Sequence, residues 1–149
     1  MKIQTKYIGS VEVDQNETIE FPQGIPGFNA EREFILLDFP ENPVFQIMQS
    51  VKNQQLAFIV TNPFHFRSDY DIDLDRSLVE TLEIQQEGDV VILSILSLKD
   101  PFEKSTMNLQ APIVVNMTKR KGKQFITNKK DYSTREPLIA AASSKEKED

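Results

Sequence analysis

Thr18-Ile-Glu-Phe-Pro-Gln-Gly-Ile-Pro-Gly-Phe28 is the stretch of sequence around which the chain is organised. Ile19 and Phe21 alternate with polar residues, as in a short strand with one buried face. The strand runs into two prolines, which cannot donate to a β-ladder, and two glycines, which reach positive φ without strain. The stretch therefore predicts a rigid bend whose apolar residues, Ile25 and Phe28, pack back into the core or against a partner.

Outward from this bend, most of the chain has the alternating or continuous apolar pattern of β-strands. The predicted strands, in chain order, cover residues 3–7, 11–13, 18–21, 34–37, 44–49, 56–60, 69–75, 90–96, 109–115 and 124–127. Their close spacing favours antiparallel meanders and hairpins, and the crossover helices of a parallel βαβ fold are missing from the pattern.

One helix is predicted, over residues 76–84. Asp75 is a suitable N-cap, and Leu78, Val79 and Leu82 form an apolar stripe at helical spacing. The sequence therefore predicts an all-β fold, a small antiparallel β-barrel or sandwich, with one short helix at its rim.

Length and composition limit the classes of protein that are possible. The 149 residues suit one domain, and the absence of cysteine excludes thiol catalysis, zinc–thiolate sites and disulfides. The first residues lack the apolar core of a secretory signal, and no apolar run approaches the roughly 20 residues of a membrane span. We expect a cytoplasmic protein that has no membrane partner.

Charge divides the chain into two parts. Residues 1–118 contain 8 Lys/Arg and 18 Asp/Glu, whereas residues 119–149 contain 9 and 5. An acidic body repels nucleic acid and attracts basic proteins, although negative charge also serves solubility alone. We expect a β domain over residues 1–130 and a partly disordered, charged tail over 131–149, in which the apolar segment 137–142 can dock.

Acidic and apolar residues alternate strictly in Asp69-Tyr-Asp-Ile-Asp-Leu-Asp75. Read as a strand, this segment places four carboxylates on one face. A calcium loop is the alternative, but Leu74 occupies the position at which an EF-hand turn needs glycine. A solvated strand edge or an acidic docking edge for a basic protein fits the alternation better.

Other residues that could carry chemistry do not combine into a catalytic motif. His65, the only histidine, lies between Phe64 and Phe66, so no multi-histidine site can form. A pair of carboxylates could meet in space, but nothing singles out a pair.

The basic cluster Lys119-Arg-Lys-Gly-Lys123 is predicted to span a hairpin turn with Lys121 and Gly122 at its tip. A direct RNA site over 119–130 is an alternative that the acidic body disfavours.

Three blocks of sequence together resemble the FliW family of flagellar assembly factors. They are Ile19-Glu-Phe-Pro-Gln-Gly-Ile-Pro-Gly-Phe28, Ala57-Phe-Ile-Val-Thr-Asn-Pro63 with Phe66 and Tyr70, and Asn108-Leu-Gln-Ala-Pro-Ile-Val-Val-Asn116. The resemblance runs from about residue 1 to residue 130. It implies a β-barrel-like protein that is not an enzyme and needs no cofactor. It also implies that the protein binds cytoplasmic flagellin or, alternatively, the RNA-binding translational regulator CsrA, so that flagellin translation is no longer repressed.

The acidic segment and the aromatic residues before it are the predicted partner surface. Its members are Phe64, Phe66, Asp69, Tyr70, Asp71 and Asp73. The motif residues Gly24, Pro26 and Gly27 are assigned to the scaffold. The alternative from another class is a small β-barrel enzyme or ligand-binding protein with an acidic pocket.

Overall fold

The computed structural model describes residues 1–127 and 132–139, which form eleven strands and two short α-helices. The strands are β1 (Lys2–Gln4), β2 (Ser10–Glu12), β3 (Ile19–Glu20), β4 (Glu33–Asp38), β5 (Phe45–Ser50), β6 (Ala57–Thr61), β7 (Val90–Ser97), β8 (Thr106–Met107), β9 (Ile113–Asn116), β10 (Lys121–Gln124) and β11 (Glu136–Pro137). The helices are α1 (Pro63–Phe66) and α2 (Arg76–Thr81). The predicted all-β class is confirmed.

Seven of these strands close into a barrel in the order β7-β6-β5-β4-β3-β10-β9, and β9 pairs with β7 to complete the circle. Neighbouring strands are antiparallel except β3 and β10, which run parallel where Glu20 opposes Lys121. Strand β8 continues the sheet beyond the barrel by pairing with the end of β7, and β11 pairs with β8. Strands β1 and β2 form a separate hairpin.

The barrel interior is filled by every second residue of its strands, because side chains alternate between the two faces of a sheet. The strand residues are Ile19, Phe34, Met48, Val60, Leu93, Ile113 and Val115, and three residues outside the strands, Phe21, Ile25 and Leu56, complete the core. Phe21 and Phe34 meet edge to face with their ring centres 5.4 Å apart. The predicted bend is confirmed, since Ile25 is buried in this core, whereas Phe28 stays partly exposed against Phe58.

The outer face of the barrel is also apolar in places, and three elements cover it. The β1–β2 hairpin packs Ile3 and Val13 against Ile35. Helix α2 packs Leu78 and Leu82 against Val114 and Phe125. The third cover holds Tyr70, Met107, Leu109 and Leu138 over Phe45, Ile47, Ile59 and Leu96.

Four local predictions were wrong or incomplete. Residues 69–75 alternate in exposure as predicted but form no strand. Two hydrogen bonds hold the segment in place of a β-ladder: the Tyr70 hydroxyl donates to the Leu109 carbonyl, and the Asp71 N–H donates to the Tyr132 hydroxyl. Helix α2 ends at Thr81 rather than at residue 84, and the chain has a second helix, α1. The β9–β10 turn lies at residues 117–120, so Lys121 and Gly122 belong to a strand and are not the tip.

The C-terminal segment is described in part. Within residues 132–139, β11 pairs with β8, and Leu138 is buried in the cluster over the outer barrel face. Arg67 holds this segment through Glu136, with nitrogen–oxygen distances of 3.2 and 3.3 Å. The rest of the predicted tail, residue 131 and residues 140–149, lies outside the described residues, and so does the second half of the apolar segment 137–142.

Candidate protein-binding site

Residues 64–90 run over the outer face of the barrel between β6 and β7, and we call them the acidic arc. They contain eight Asp/Glu and only two Lys/Arg, a formal net charge of −6. The arc begins with α1, continues through the extended segment 69–75 into α2, and ends where β7 starts. It therefore brings eight of the chain's 23 Asp/Glu residues to one segment of the surface.

Helix α1 begins at a signal that the sequence contains. The Asn62 side-chain oxygen accepts a hydrogen bond from the Phe64 N–H at 2.9 Å, and Pro63 occupies the first helical position. Asparagine at the N-cap and proline after it are both favoured at helix starts. Asn62 itself is extended, as expected before proline, but the chain turns helical immediately after it.

Tyr70 anchors the middle of the arc. Its hydroxyl donates a 2.6 Å hydrogen bond to the Leu109 carbonyl, and its ring centre lies 4.7 Å from that of Tyr132 and 5.4 Å from that of Phe64. Burial, and then the neighbouring Tyr132, raises the pKa of Tyr70 well above its ordinary value. The hydroxyl therefore stays protonated and keeps donating at neutral pH.

Asn116 anchors the far end of the arc. Its buried amide donates to the carbonyls of Leu82 and Glu83 at 2.8 and 3.1 Å, while its oxygen accepts from the N–H groups of Thr118 and Lys119. The block Asn108–Asn116 therefore holds the arc at two points, at Leu109, which accepts from Tyr70, and at Asn116. The four hydrogen bonds of the Asn116 side chain give a physical reason for asparagine at the last position of the block.

Lys121 adds an ion pair at the same end. Its ammonium contacts the Glu83 carboxylate, and this contact lowers the pKa of Glu83 and raises that of Lys121. Part of the basic cluster at 119–123 is therefore paired with the arc.

The six predicted partner residues divide into surface and anchor positions. Asp69, Asp71 and Asp73 are exposed, and Phe64 is 37% exposed beside Tyr70. Tyr70 is buried, and the half-buried Phe66 ring stacks on Phe45 at a centre distance of 6.3 Å.

Phe64 and Phe66 both belong to the helical turn α1. His65 packs edge to face on Phe66, 5.1 Å between ring centres. Asp75 faces its own helix, where its side chain accepts from the Leu78 N–H at 2.8 Å.

The structure also shows a groove that sequence reasoning missed. It has a volume of about 740 Å³ and lies between segment 72–74, α2 with the following residues 84–87, and β7. Its apolar lining consists of Phe64, Ile72, Leu74, Val79, Ile84, Val90 and Ile92. Asp73, Gln85, Gln86 and Glu87 supply the polar lining, and no basic side chain is among the lining residues. The sequence feature that could have indicated this groove is the set of large apolar residues spread through an otherwise acidic stretch.

Two other features are missing from the described part of the chain. Among residues 1–127 and 132–139, no three His, Asp or Glu side chains are grouped so that they could hold a metal ion, and this includes the row predicted as a possible calcium loop. No helix in that part of the chain is long and apolar enough to cross a membrane.

Together, the fold and the site define a closed, mainly antiparallel β-barrel protein with an acidic arc packed on its outer face. A family profile described as "FliW protein" matches residues 2–138, so the chain belongs to the FliW family. It is 45% identical over 134 residues to the flagellar assembly factor FliW of Oceanobacillus iheyensis, covering 90% of this chain and 91% of the relative. It is 46% identical over 138 residues to that of Bacillus licheniformis, covering 93% and 96%.

A solved structure confirms the fold. The crystal structure of the flagellar assembly factor FliW superposes with a TM-score of 0.88 at 44% identity, covering 93% of this chain and 96% of that chain. The resemblance carried by the three sequence blocks is thereby confirmed, and the chain is a flagellar assembly factor of this family.

Proposed function

We propose that this protein acts in the cytoplasm, without catalysis, by binding flagellin and, alternatively, the RNA-binding regulator CsrA. While it holds CsrA, the flagellin message is translated. When flagellin accumulates and occupies the protein, CsrA is released and represses that message. The occupancy of one partner sets the free concentration of the other, which is a linkage between two binding equilibria.

The acidic arc is the observation that carries this proposal. An RNA-binding regulator presents basic side chains to phosphates, and the arc presents a net charge of −6 on one surface. Complementary charge speeds encounter and suppresses wrong partners. The exposed carboxylates Asp69, Asp71 and Asp73 stand beside Phe64, an exposed aromatic of the kind that supplies contact area in interfaces.

The attachment of the arc supports a binding role. Tyr70 fixes its middle to Leu109 and Asn116 fixes its end, so the backbone that carries the carboxylates is ordered before a partner arrives. A surface that is already ordered loses less conformational entropy on binding than a mobile loop does. The names of the relatives, assembly factors rather than enzymes, also favour a role in binding.

A competition titration tests the proposal. Purified flagellin is added to a preformed complex of this protein with CsrA, and free CsrA is measured by its binding to a labelled flagellin leader RNA. We expect flagellin to release CsrA in proportion to the flagellin added. A stable complex that contains both partners at their full individual affinities would contradict the exchange.

Two alternatives make different predictions. A ligand-binding protein or enzyme with an acidic pocket would use the 740 Å³ groove, whose size is within the range of small-molecule sites, and would show a thermal shift or turnover with a small molecule. A direct RNA binder at 119–130 would retain RNA in a salt-sensitive way when CsrA is absent. The pairing of Lys121 with Glu83 weakens that second alternative.

A further inference from the structure

Residues 132–139, which we call the C-terminal strap, contact the acidic arc and the barrel at the same time. On the side of the arc, the Arg67 guanidinium donates to the Glu136 carboxylate at 3.2 and 3.3 Å and to the carbonyls of Pro137 and Leu138. The side chains of Arg67 and Glu136 are only 18% and 29% exposed. One arginine thus ties the residue after α1 to three consecutive residues of the strap.

A second set of contacts joins the strap to the row of carboxylates. The Asp71 N–H donates to the Tyr132 hydroxyl at 2.7 Å, and the Tyr132 ring packs on the Tyr70 ring with 4.7 Å between their centres. Tyr70 in turn donates to the Leu109 carbonyl. The middle of the arc is therefore held partly by the barrel, through Leu109, and partly by the strap, through Tyr132.

The attachment of the strap to the barrel is short. Strand β11 has two residues, one of them a proline that cannot donate, and it is the last strand of its sheet, next to β8. The Leu138 N–H donates to the Ser105 carbonyl at 3.0 Å, and the Leu109 N–H donates to the Ser133 carbonyl at 2.9 Å. Leu138 is the buried plug of this segment, at 1% exposure. Because short edge pairings open at a lower free energy than long ladders, we expect the strap to open before the barrel does.

We propose that the strap and the middle of the arc, residues 66–73, form one cooperative unit that opens while the seven-stranded barrel stays closed. Arg67 is the positioning residue of this unit, and Leu138 is the plug that seats it. While the strap is seated, the backbone that carries the three exposed aspartates of the arc is ordered. When the strap lifts, the arc loses the contacts of Arg67 and the support of Tyr132 together, so the strap controls the order of the binding surface.

Coupling of this kind works in both directions. A partner that binds only the ordered arc must also keep the strap seated, and a ligand that lifts the strap must weaken that partner by the same factor. The strap lies on the outer face and exposes Ser133, Thr134 and Arg135, so such a ligand can reach it. The coupling is a property of the unbound protein. Its test therefore needs no partner, and its failure would leave the proposed function standing.

A reversible disulfide between the strap and β8 tests the coupling, because the natural chain contains no cysteine. Pro137 faces Thr106 in the antiparallel register, and the next pair, Leu138 and Ser105, is hydrogen-bonded. Bonded and non-bonded pairs alternate in such a ladder, so Pro137 and Thr106 form a non-bonded pair. Its Cα atoms are expected about 4.5 Å apart, which suits a disulfide in the variant Thr106→Cys with Pro137→Cys.

The matched control is Gln4→Cys with Ser10→Cys in the β1–β2 hairpin. This is also a non-bonded antiparallel pair, since the next pair, Thr5 and Gly9, is hydrogen-bonded. Neither double variant changes the formal charge. Hydrogen exchange of the oxidised and reduced forms is followed by mass spectrometry under conditions in which β4 and β5 stay protected, and the intact mass verifies the disulfide.

Oxidation of the strap variant should slow exchange of the Leu138 and Asp71 amides together, each at least about tenfold, because the arc then loses the openings in which the strap lifts. Oxidation of the control should leave both rates within about twofold. An oxidised strap variant in which the Leu138 amide slows and the Asp71 amide does not would overturn the coupling. Equal slowing of the Asp71 amide in both variants would overturn it as well.

Leu138→Ala tests the same coupling without a cross-link, should the cysteine pair fail to fold or oxidise. Loss of the plug should leave the strap seated less often, so exchange should accelerate at least about tenfold both in the strap and at Asp71. Ile3→Ala is the matched control, because it removes a buried aliphatic side chain from the β1–β2 cover and should leave the arc unchanged. If Leu138→Ala accelerates exchange in the strap alone, the two segments open independently and the proposal is wrong.

Discussion

The ring of Phe21 lies directly against Gly122, at the one place where the barrel uses a parallel pair of strands. A Cβ built on Gly122 would lie 2.7 Å from Cζ of Phe21 and 2.8 Å from Cε2. Phe21 directly follows β3 and is fully buried, and Gly122 lies in β10, so this contact limits how closely the two strands approach. The bend at residues 18–28 therefore packs directly against β10, and this contact is possible because residue 122 has no side chain.

Replacing Gly122 with alanine should therefore destabilise the barrel. The methyl group would force the Phe21 ring or strand β10 to shift, and overpacking of this kind costs about 1–3 kcal/mol. Gly88→Ala is the matched control, because nothing lies within 4 Å of a Cβ there and its φ is not positive. Urea unfolding measures both variants, and equal midpoints for the two would contradict the proposed contact.

The bend itself makes a second prediction about two glycines that both have positive φ. Gly24 has φ +69°, and its Cβ would lie 2.7 Å from the Asn29 carbonyl oxygen, whereas Gly27 has φ +89° and an open environment. Gly27→Val should lower the melting temperature through backbone strain of about 1–2 kcal/mol. Gly24→Ala should lower it further, because a backbone clash is added to the strain.

This pair of variants also tests the scaffold role of the bend. Both should lose stability without a specific loss of binding once the measurement is made well below the melting temperature. A Gly27→Val protein that melts like the natural one but no longer binds its partners would show that the bend is a binding loop.

The bend could be predicted from sequence, whereas the contacts that complete it could not. Prolines and glycines act locally, so Ile19–Phe28 shows its turn without reference to the rest of the chain. The size match of Phe21 with Gly122 depends on two residues about a hundred positions apart. The parallel pairing that creates this match has no local signature.

The same limit of sequence-based prediction, that contacts between distant residues have no local signature, applies to the acidic arc. Alternation in Asp69–Asp75 correctly predicted which side chains are exposed, because a period of two needs only extended backbone. It did not predict whether a neighbouring strand is present, and here hydrogen bonds donated by the Tyr70 hydroxyl and by the Asp71 N–H replace the ladder. The groove was missed because Phe64, Val79 and Ile92 come from three separate elements, and each resembles an ordinary core residue when read alone.

Tyr70→Phe should separate the hydrogen bond of the anchor from its packing. Loss of the 2.6 Å bond to Leu109 leaves a buried carbonyl without this donor and should cost about 1–2 kcal/mol.

The natural protein should also lose stability in alkali. The pKa of Tyr70 in the folded protein lies above the ordinary value of 10.0. The contribution of Tyr70 to the free energy of unfolding is therefore complete below pH 10 and falls as the pH rises through the folded-state pKa. Denaturant midpoints between pH 8 and about 11 should decline less in Tyr70→Phe; equal declines would mean that Tyr70 is not the titrating group.

Asn116→Ala should loosen the far end of the arc. The buried amide makes four hydrogen bonds to backbone groups, two at Leu82 and Glu83 and two in the β9–β10 turn. Leaving these groups without partners should cost about 2–4 kcal/mol. Hydrogen exchange should accelerate at residues 82–89 more than in strands β4 and β5. Uniform acceleration across the barrel would instead show that Asn116 stabilises the whole fold and is not a specific anchor of the arc.

Reversing two charges on the arc should weaken CsrA binding without unfolding the protein. Asp71 and Asp73 are exposed, so Asp71→Lys with Asp73→Lys changes the local field by four charges and leaves the core untouched. At low salt the affinity for CsrA should fall at least about tenfold, mainly through a slower association rate, because steering acts on encounter. Glu17→Lys with Glu103→Lys makes the same change in net charge on other elements and should have a much smaller effect when both variants are compared at 0.1 M salt, where screening limits distant charges to about 10 Å. If the dissociation constant of the arc variant at low salt equals that of the natural protein, the arc is not the surface that meets the basic partner.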